Sequence, residues 1–314
     1  MKIAVMGTGG VGGYFGAKLA ASGQQVHFIA RGEHLEAIRS RGLQVYSANG
    51  DVLIHPASAT RNPADIGPAD VVMVAVKLWS TDEALRDAKP LVGPSTAVVS
   101  FQNGVVAADA IARAYGKEHT WGGVANIAAV IESPGVIRHT GTMALLTVGE
   151  LTGKPSTRVQ GFVDACTSAG IQVRATDDVQ KTIWEKFVFL VAASAMTSLT
   201  RLPLGAIREE PETRALTGQI MSEVVAVGRA KQVQLDADLA DKLLQRLDGM
   251  PREMVASMLG DLERGNRLEL PWLSGGVVEM GKQLGVATPA NAFICAALKL
   301  YVNGRPADAR TPKA

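Results

Sequence analysis

Short apolar runs alternate with helix-period patterns through the first half of the chain. "KIAVMG" predicts a strand, and "VGGYFGAKLAASG" a helix closed by Gly23. "QVHFIA" is a second strand, followed by the helix "EHLEAIRSRG" closed by Gly42. "LQVYSANGDVLIHP" reads as a hairpin with an Asn49-Gly50 turn. "DVVMVAVK" is an apolar strand, "STDEALRDAKPL" is helical, and "STAVVSFQNG" is a strand ending in a turn. Strands without a polar face need cover on both sides. The alternation therefore predicts α/β architecture, a doubly wound parallel sheet.

From about Asp177 only helical patterns remain. Asp177 or Asp178 is placed to cap the first helix. Others are predicted at 212–232, 237–247, 251–264, 271–284 and 289–302, the last opened by Thr288-Pro289. The tail from Asn303 has little to pack and is expected to be disordered. The domains are thus 1–176, α/β, and 177–314, all-helical. In the first of these helices Lys186 stands before a run of uncharged residues, 187–200. The run is too short for a bilayer and contains Ser194, Thr197 and Ser198, so it reads as a core helix. It has two homes, inside its own domain or against the partner of a homodimer. Lys186 itself has two readings: a snorkelling side chain, or a proton donor held at a dry site.

Composition narrows the function. With 32 basic and 30 acidic residues, net charge +2, the chain offers no field for nucleic acid. Its 47% hydrophobic and 20% charged residues suit a globular protein. Two distant cysteines make neither a disulfide framework nor a zinc site and fit a cytoplasmic location. The five histidines show no metal-binding spacing. "MKIAVMGTGG" is too short an apolar run for a signal peptide, and no membrane segment is expected.

Gly7-Thr8-Gly9-Gly10-Val11-Gly12 fits G-x-G-x-x-G between a strand and a helix, the setting in which the pattern signals dinucleotide binding. Glycine is needed where the chain turns sharply and meets a pyrophosphate, which then lies on the helix N-terminus. An NAD site usually has an acid at the end of the second strand; an FAD-type site prefers one too. This strand ends in Ala30-Arg31, and a guanidinium suits a 2′-phosphate, so NADPH is favoured. Glu33 is close and counts against NADPH unless it is merely an early helix residue favoured by the dipole. Lys77 and Asn103 follow later strands, at the edge where open α/β sheets bind ligands.

Together these pieces resemble the ketopantoate reductase (2-dehydropantoate 2-reductase) family. The resemblance rests on the glycine segment with Arg31, "VAVKLW", "FQNG", "IWEKF", "SMLGDLERGNRLEL" and "GKQLGVATPAN". It implies a Rossmann-type domain followed by an all-α domain like the C-terminal one of 6-phosphogluconate dehydrogenase. It also implies reduction of a small-molecule 2-keto acid by NADPH, most simply 2-dehydropantoate to pantoate in pantothenate biosynthesis. Lys186 becomes the general acid. Glu269 lies near cofactor and reacting hydroxyl, and Asn103 between nicotinamide and substrate. Ser257 and Ser194 fall at substrate positions, and Ala128 at a cofactor contact.

The chain departs from that family where asparagines often follow the lysine. Leu190 and Ser194 stand there, with Leu204 further on. Each lost asparagine removes hydrogen-bonding groups, which relaxes or redirects selection of a hydroxylated substrate. Two alternatives follow: a related dehydrogenase for another keto acid, or a non-catalytic NADP-binding sensor.

Overall fold

The computed structural model describes residues 1–154 and 156–308. The chain divides into two compact units, Met1–Ile183 and Trp184 onward. The division falls inside one continuous helix, Val179–Thr200.

The first unit contains β1 (Lys2–Met6), α1 (Gly10–Ala21), β2 (Gln25–Ile29) and α2 (Gly32–Arg41). Next come β3 (Leu43–Tyr46), β4 (Val52–Ile54), β5 (Ala59–Thr60), β6 (Val71–Val74) and α3 (Thr81–Asp87). They are followed by β7 (Ala97–Ser100), α4 (Ala107–Tyr115), β8 (Thr120–Ser133), β9 (Val136–Glu150), α5 (Thr157–Ser168) and β10 (Gln172–Ala175). The sheet order is β4-β3-β9-β8-β7-β6-β1-β2-β5, with β10 also pairing β9.

The apolar strands segregate by alternate residues. Ile3, Val5, Val71, Met73 and Val99 join one core layer with α1 and α5. Ala4, Met6, Val72, Val74 and Val98 join the other, with α3 and α4. Burial on both faces explains their unbroken hydrophobic sequence. Pairing of β1 with β2 and β6, and of β7 with β6 and β8, is parallel. The sheet is nevertheless mixed. The β3–β4 hairpin is antiparallel, as its turn residues predict, and so is the long β8–β9 pair.

The second unit is helical. It holds most of α6 (Val179–Thr200), then α7 (Leu204–Glu209), α8 (Pro211–Ala230), α9 (Leu239–Asp248), α10 (Ser257–Glu263), α11 (Ser274–Leu284) and α12 (Pro289–Leu298). Asp178 caps α6, its carboxylate accepting the Lys181 N–H at 2.9 Å. α6 has the length and apolarity of a membrane span, but 67% of its most apolar window is buried. Trp184 packs edge-on to Phe187, centroids 5.6 Å apart, and sits where Gly228 leaves room; a Cβ there would lie 2.8 Å from the indole.

Several boundaries differ from expectation. The 251–264 helix is shortened to α10, so Ser257 opens it rather than lying within. Pro271 is not a first helical residue. A turn over Glu269–Leu273, in which the Glu269 carbonyl accepts from Trp272 and Leu273, precedes α11. The start of the tail is tied down: Arg305 N–H donates to Gly265 O, just after Val302 O has accepted from Leu268 N–H. Residues 309–314 of that tail lie outside the described residues.

Candidate active site

Because β1, β2, β6 and β7 run parallel, their carboxyl ends share one edge. Gly7, Arg31, Lys77 and Asn103 follow them in turn. The glycine loop has the shape a dinucleotide needs. Gly7 has φ +98°, open to glycine at little cost. A Cβ on Gly12 would lie 2.3 Å from the Gly7 carbonyl oxygen, so α1 packs hard under the loop. A Cβ on Gly9 would meet nothing within 4 Å. The one motif glycine not needed internally therefore faces open space, where a pyrophosphate would approach the backbone.

Thr8 is buried and donates its hydroxyl to Ile29 O at 3.0 Å, fixing the loop to β2. Gly10 and Val11 open α1. β8 overshoots the parallel edge, and a Cβ on Gly10 would lie 2.0 Å from Ala129 O. Ala128 is exposed and sits within β8, at a register shift between Ile127 and Ala129. Such a bulge re-aims one residue out of the ladder.

His34 clasps the loop. Its Nδ1 accepts from Gly135 N–H at 3.0 Å, which leaves Nε2 to donate to Thr8 O at 2.7 Å. Burial lowers its pKa, against the bond to Thr8, which raises it.

Arg31 is the N-cap residue of α2 and is exposed. Its guanidinium pairs with Glu83 at 2.8 Å and Asp87 at 3.1 Å. Glu33 lies in the first turn of α2, as a dipole-favoured acid would. β6 stops at Val74, so Lys77 is three residues beyond it, exposed, with its ammonium 5.8 Å from the Trp79 ring centre. Asn103 is half-buried in the turn after β7. Gln102, which sequence reasoning missed, ties these loops together. Its amide donates to Val76 O at 2.9 Å and to the Thr81 hydroxyl at 2.8 Å. A hollow beside this turn is lined by Ser100, Gln102, Gly104, Trp121 and Ile183.

In the second unit the lysine and glutamate are electrostatically linked. Burial pushes the Lys186 ammonium down to about 8, and the opposing charge of Glu269 pulls it back up. Glu269 is buried between Leu268 and Leu270. The loop carrying it is braced by Asp261, which accepts from Asn266 Nδ2 and pairs with Arg264, each at 3.3 Å. Ser194 is buried, and its hydroxyl has no hydrogen-bond partner among the described residues. It stands eight residues after Lys186, about 12 Å along the helix axis. Ser257 is exposed at the start of α10. Leu190, one turn past Lys186, is half-buried, and Leu204 is fully buried.

The comparisons agree over both units. The family model "Ketopantoate reductase PanE/ApbA" matches residues 3–153, and its C-terminal companion matches 178–302. The 2-dehydropantoate 2-reductase of Mesorhizobium japonicum is 33% identical over 310 residues, 92% of this chain and 94% of that protein. An oxidoreductase of Bacillus subtilis, YkpB, is 30% identical, covering 96% of this chain and 99% of the relative. The crystal structure of 2-dehydropantoate 2-reductase from Geobacter metallireducens superposes with TM-score 0.88 at 31% identity, covering 95% and 99% of the two chains. With a glycine loop open at Gly9 and a desolvated lysine beside a buried glutamate, the chain belongs to the ketopantoate reductase family of oxidoreductases.

Proposed function

We propose that this protein reduces a 2-keto acid to the 2-hydroxy acid with NADPH, and that 2-dehydropantoate is the substrate to test first. The observation that carries this reading is Lys186: an ammonium whose pKa burial brings down to about 8, with Glu269 as its counter-charge. A general acid works best when its pKa lies near the working pH.

The residues divide the labour. Gly7, Gly9 and Gly12 let the first unit's backbone approach the pyrophosphate, and Thr8, Gly10, Val11 and Ala128 form the loop's surroundings. Arg31 takes the 2′-phosphate, with Lys77 as a second cation at the same edge. Bound NADPH supplies the hydride. Lys186 polarises the keto oxygen through Nζ and delivers its proton there as negative charge builds. Glu269 keeps the ammonium charged until that moment, and Asn103 orients the reacting groups. Ser194 and Ser257 are assigned to substrate contacts.

A second reading concerns the substrate alone. Leu190 is half-buried one turn from Lys186, where an apolar wall favours a 2-keto acid with fewer hydroxyl groups. Following NADPH absorbance against a panel of 2-keto acids separates the readings. Turnover confined to 2-dehydropantoate supports the first, and preference for apolar keto acids the second. Cofactor binding with no turnover of any keto acid would make the protein a sensor and end both.

A further inference from the structure

The pairing of Arg31 has a bearing on cofactor choice. Glu83 and Asp87 are four residues apart on α3, so they share one helix face. Glu83 Oε1 takes Nη1 of Arg31 at 2.8 Å, and Asp87 Oδ2 takes Nη2 at 3.1 Å. Both terminal nitrogens are thereby engaged, and these form the fork a phosphate would use. The trio carries one positive and two negative charges, a net −1 at the place proposed for a 2′-phosphate dianion.

Resting on the cofactor reading above, we infer that Glu83 and Asp87 are specificity-determining residues: they compete with the 2′-phosphate for Arg31 and so hold down the preference for NADPH over NADH. NADPH must displace two carboxylates and then lie beside them. NADH carries a ribose hydroxyl at that position and meets no such repulsion. The strand-end acid that usually holds this hydroxyl is absent, since β2 is followed by Ala30 and Arg31. Acids arriving from α3 take its place near the guanidinium. All three side chains are about half exposed, at 53%, 49% and 43%, so the pairs are of ordinary surface strength and a strong anion can open them.

The test uses the full chain and two cofactors, with dissociation constants read by quenching of protein fluorescence. The variants are E83Q/D87N, which keeps size and removes charge, and R31A. Releasing two exposed ion pairs is expected to tighten NADPH binding roughly three- to tenfold. NADH binding should stay within about twofold, because it carries no group that the pairs oppose. The gain should shrink at high salt, where exposed charges are screened. If E83Q/D87N leaves NADPH unchanged, weakens it, or shifts both cofactors alike while R31A weakens NADPH selectively, the inference fails and the cofactor reading stands. If R31A leaves NADPH binding unchanged, the cofactor reading fails and the inference falls with it.

Discussion

Replacing Lys186 by methionine should leave the protein nearly inactive and change the pH dependence of its stability. The ordinary lysine value is 10.5, and burial brings Lys186 to about 8. At pH 7 the amine is charged in both folded and unfolded chains, so the folded state bears the full cost of a desolvated charge. At about 1.36 kcal/mol per pH unit, the gap between the two values gives a cost of up to about 3 kcal/mol. Between pH 8 and 10.5 the unfolded chain binds more protons than the folded one, so wild-type stability rises through that window. The Lys186→Met variant carries no ammonium there, but it leaves the buried Glu269 without Lys186 opposite it, a cost of the other sign. Its stability relative to wild type should therefore be highest below pH 8 and fall by up to about 3 kcal/mol toward pH 10.5. Paired urea or thermal unfolding curves at pH 7, 9 and 10 measure the difference directly. The same variant should lose roughly 10²- to 10⁴-fold in keto-acid turnover, the usual share of acid–base catalysis, with NADPH affinity nearly intact. A stability difference from wild type that does not change between pH 7 and 10 would refute the account of a desolvated ammonium. Wild-type turnover would refute its role as acid.

Other outcomes follow from the same geometry. With Lys186 as the proposed donor, the protonated amine is the active form, so kcat/KM should be flat below about pH 8 and fall above it; a profile still rising at pH 9 would contradict that role. Gly9→Ala should leave Tm unchanged, since its Cβ meets nothing, yet weaken NADPH binding by about tenfold or more by blocking the pyrophosphate's approach. Gly12→Ala should behave oppositely in stability, losing about 1–3 kcal/mol, because its Cβ would crowd the Gly7 carbonyl. Glu223 accepts from Ala290 N–H, Asn291 N–H and Asn291 Nδ2 at 2.8–2.9 Å at the start of α12. Its replacement by alanine should cost about 3 kcal/mol through buried donors left unpaired, read by calorimetry.

The first unit was legible where strands were apolar on both faces and helices ended at glycine. Gly23 and Gly42 do close α1 and α2, with φ +90° and +88°. The β8–β9 pair was not. These strands are 14 and 15 residues long, but β8 is rich in small residues, and Gly122 and Gly123 leave room for Val179 and Val99. Tertiary packing made that choice; strand propensity did not. The Asp178 cap was visible because the bond is local. Contacts distant in sequence left no local mark. His34 meets Gly135 across 101 residues, and Glu223 meets Asn291 across 68. The motif located Arg31 as a cation at a strand end, but its two acidic partners lie more than fifty residues away on α3.

Three borders of the sheet carry very little strand. β4 has three residues, β5 two and β10 four. A border that short presents few unpaired amide and carbonyl groups to another molecule. Ten strands could otherwise template the addition of a foreign strand, the first step toward fibrils. At these three borders a foreign strand finds little to pair with.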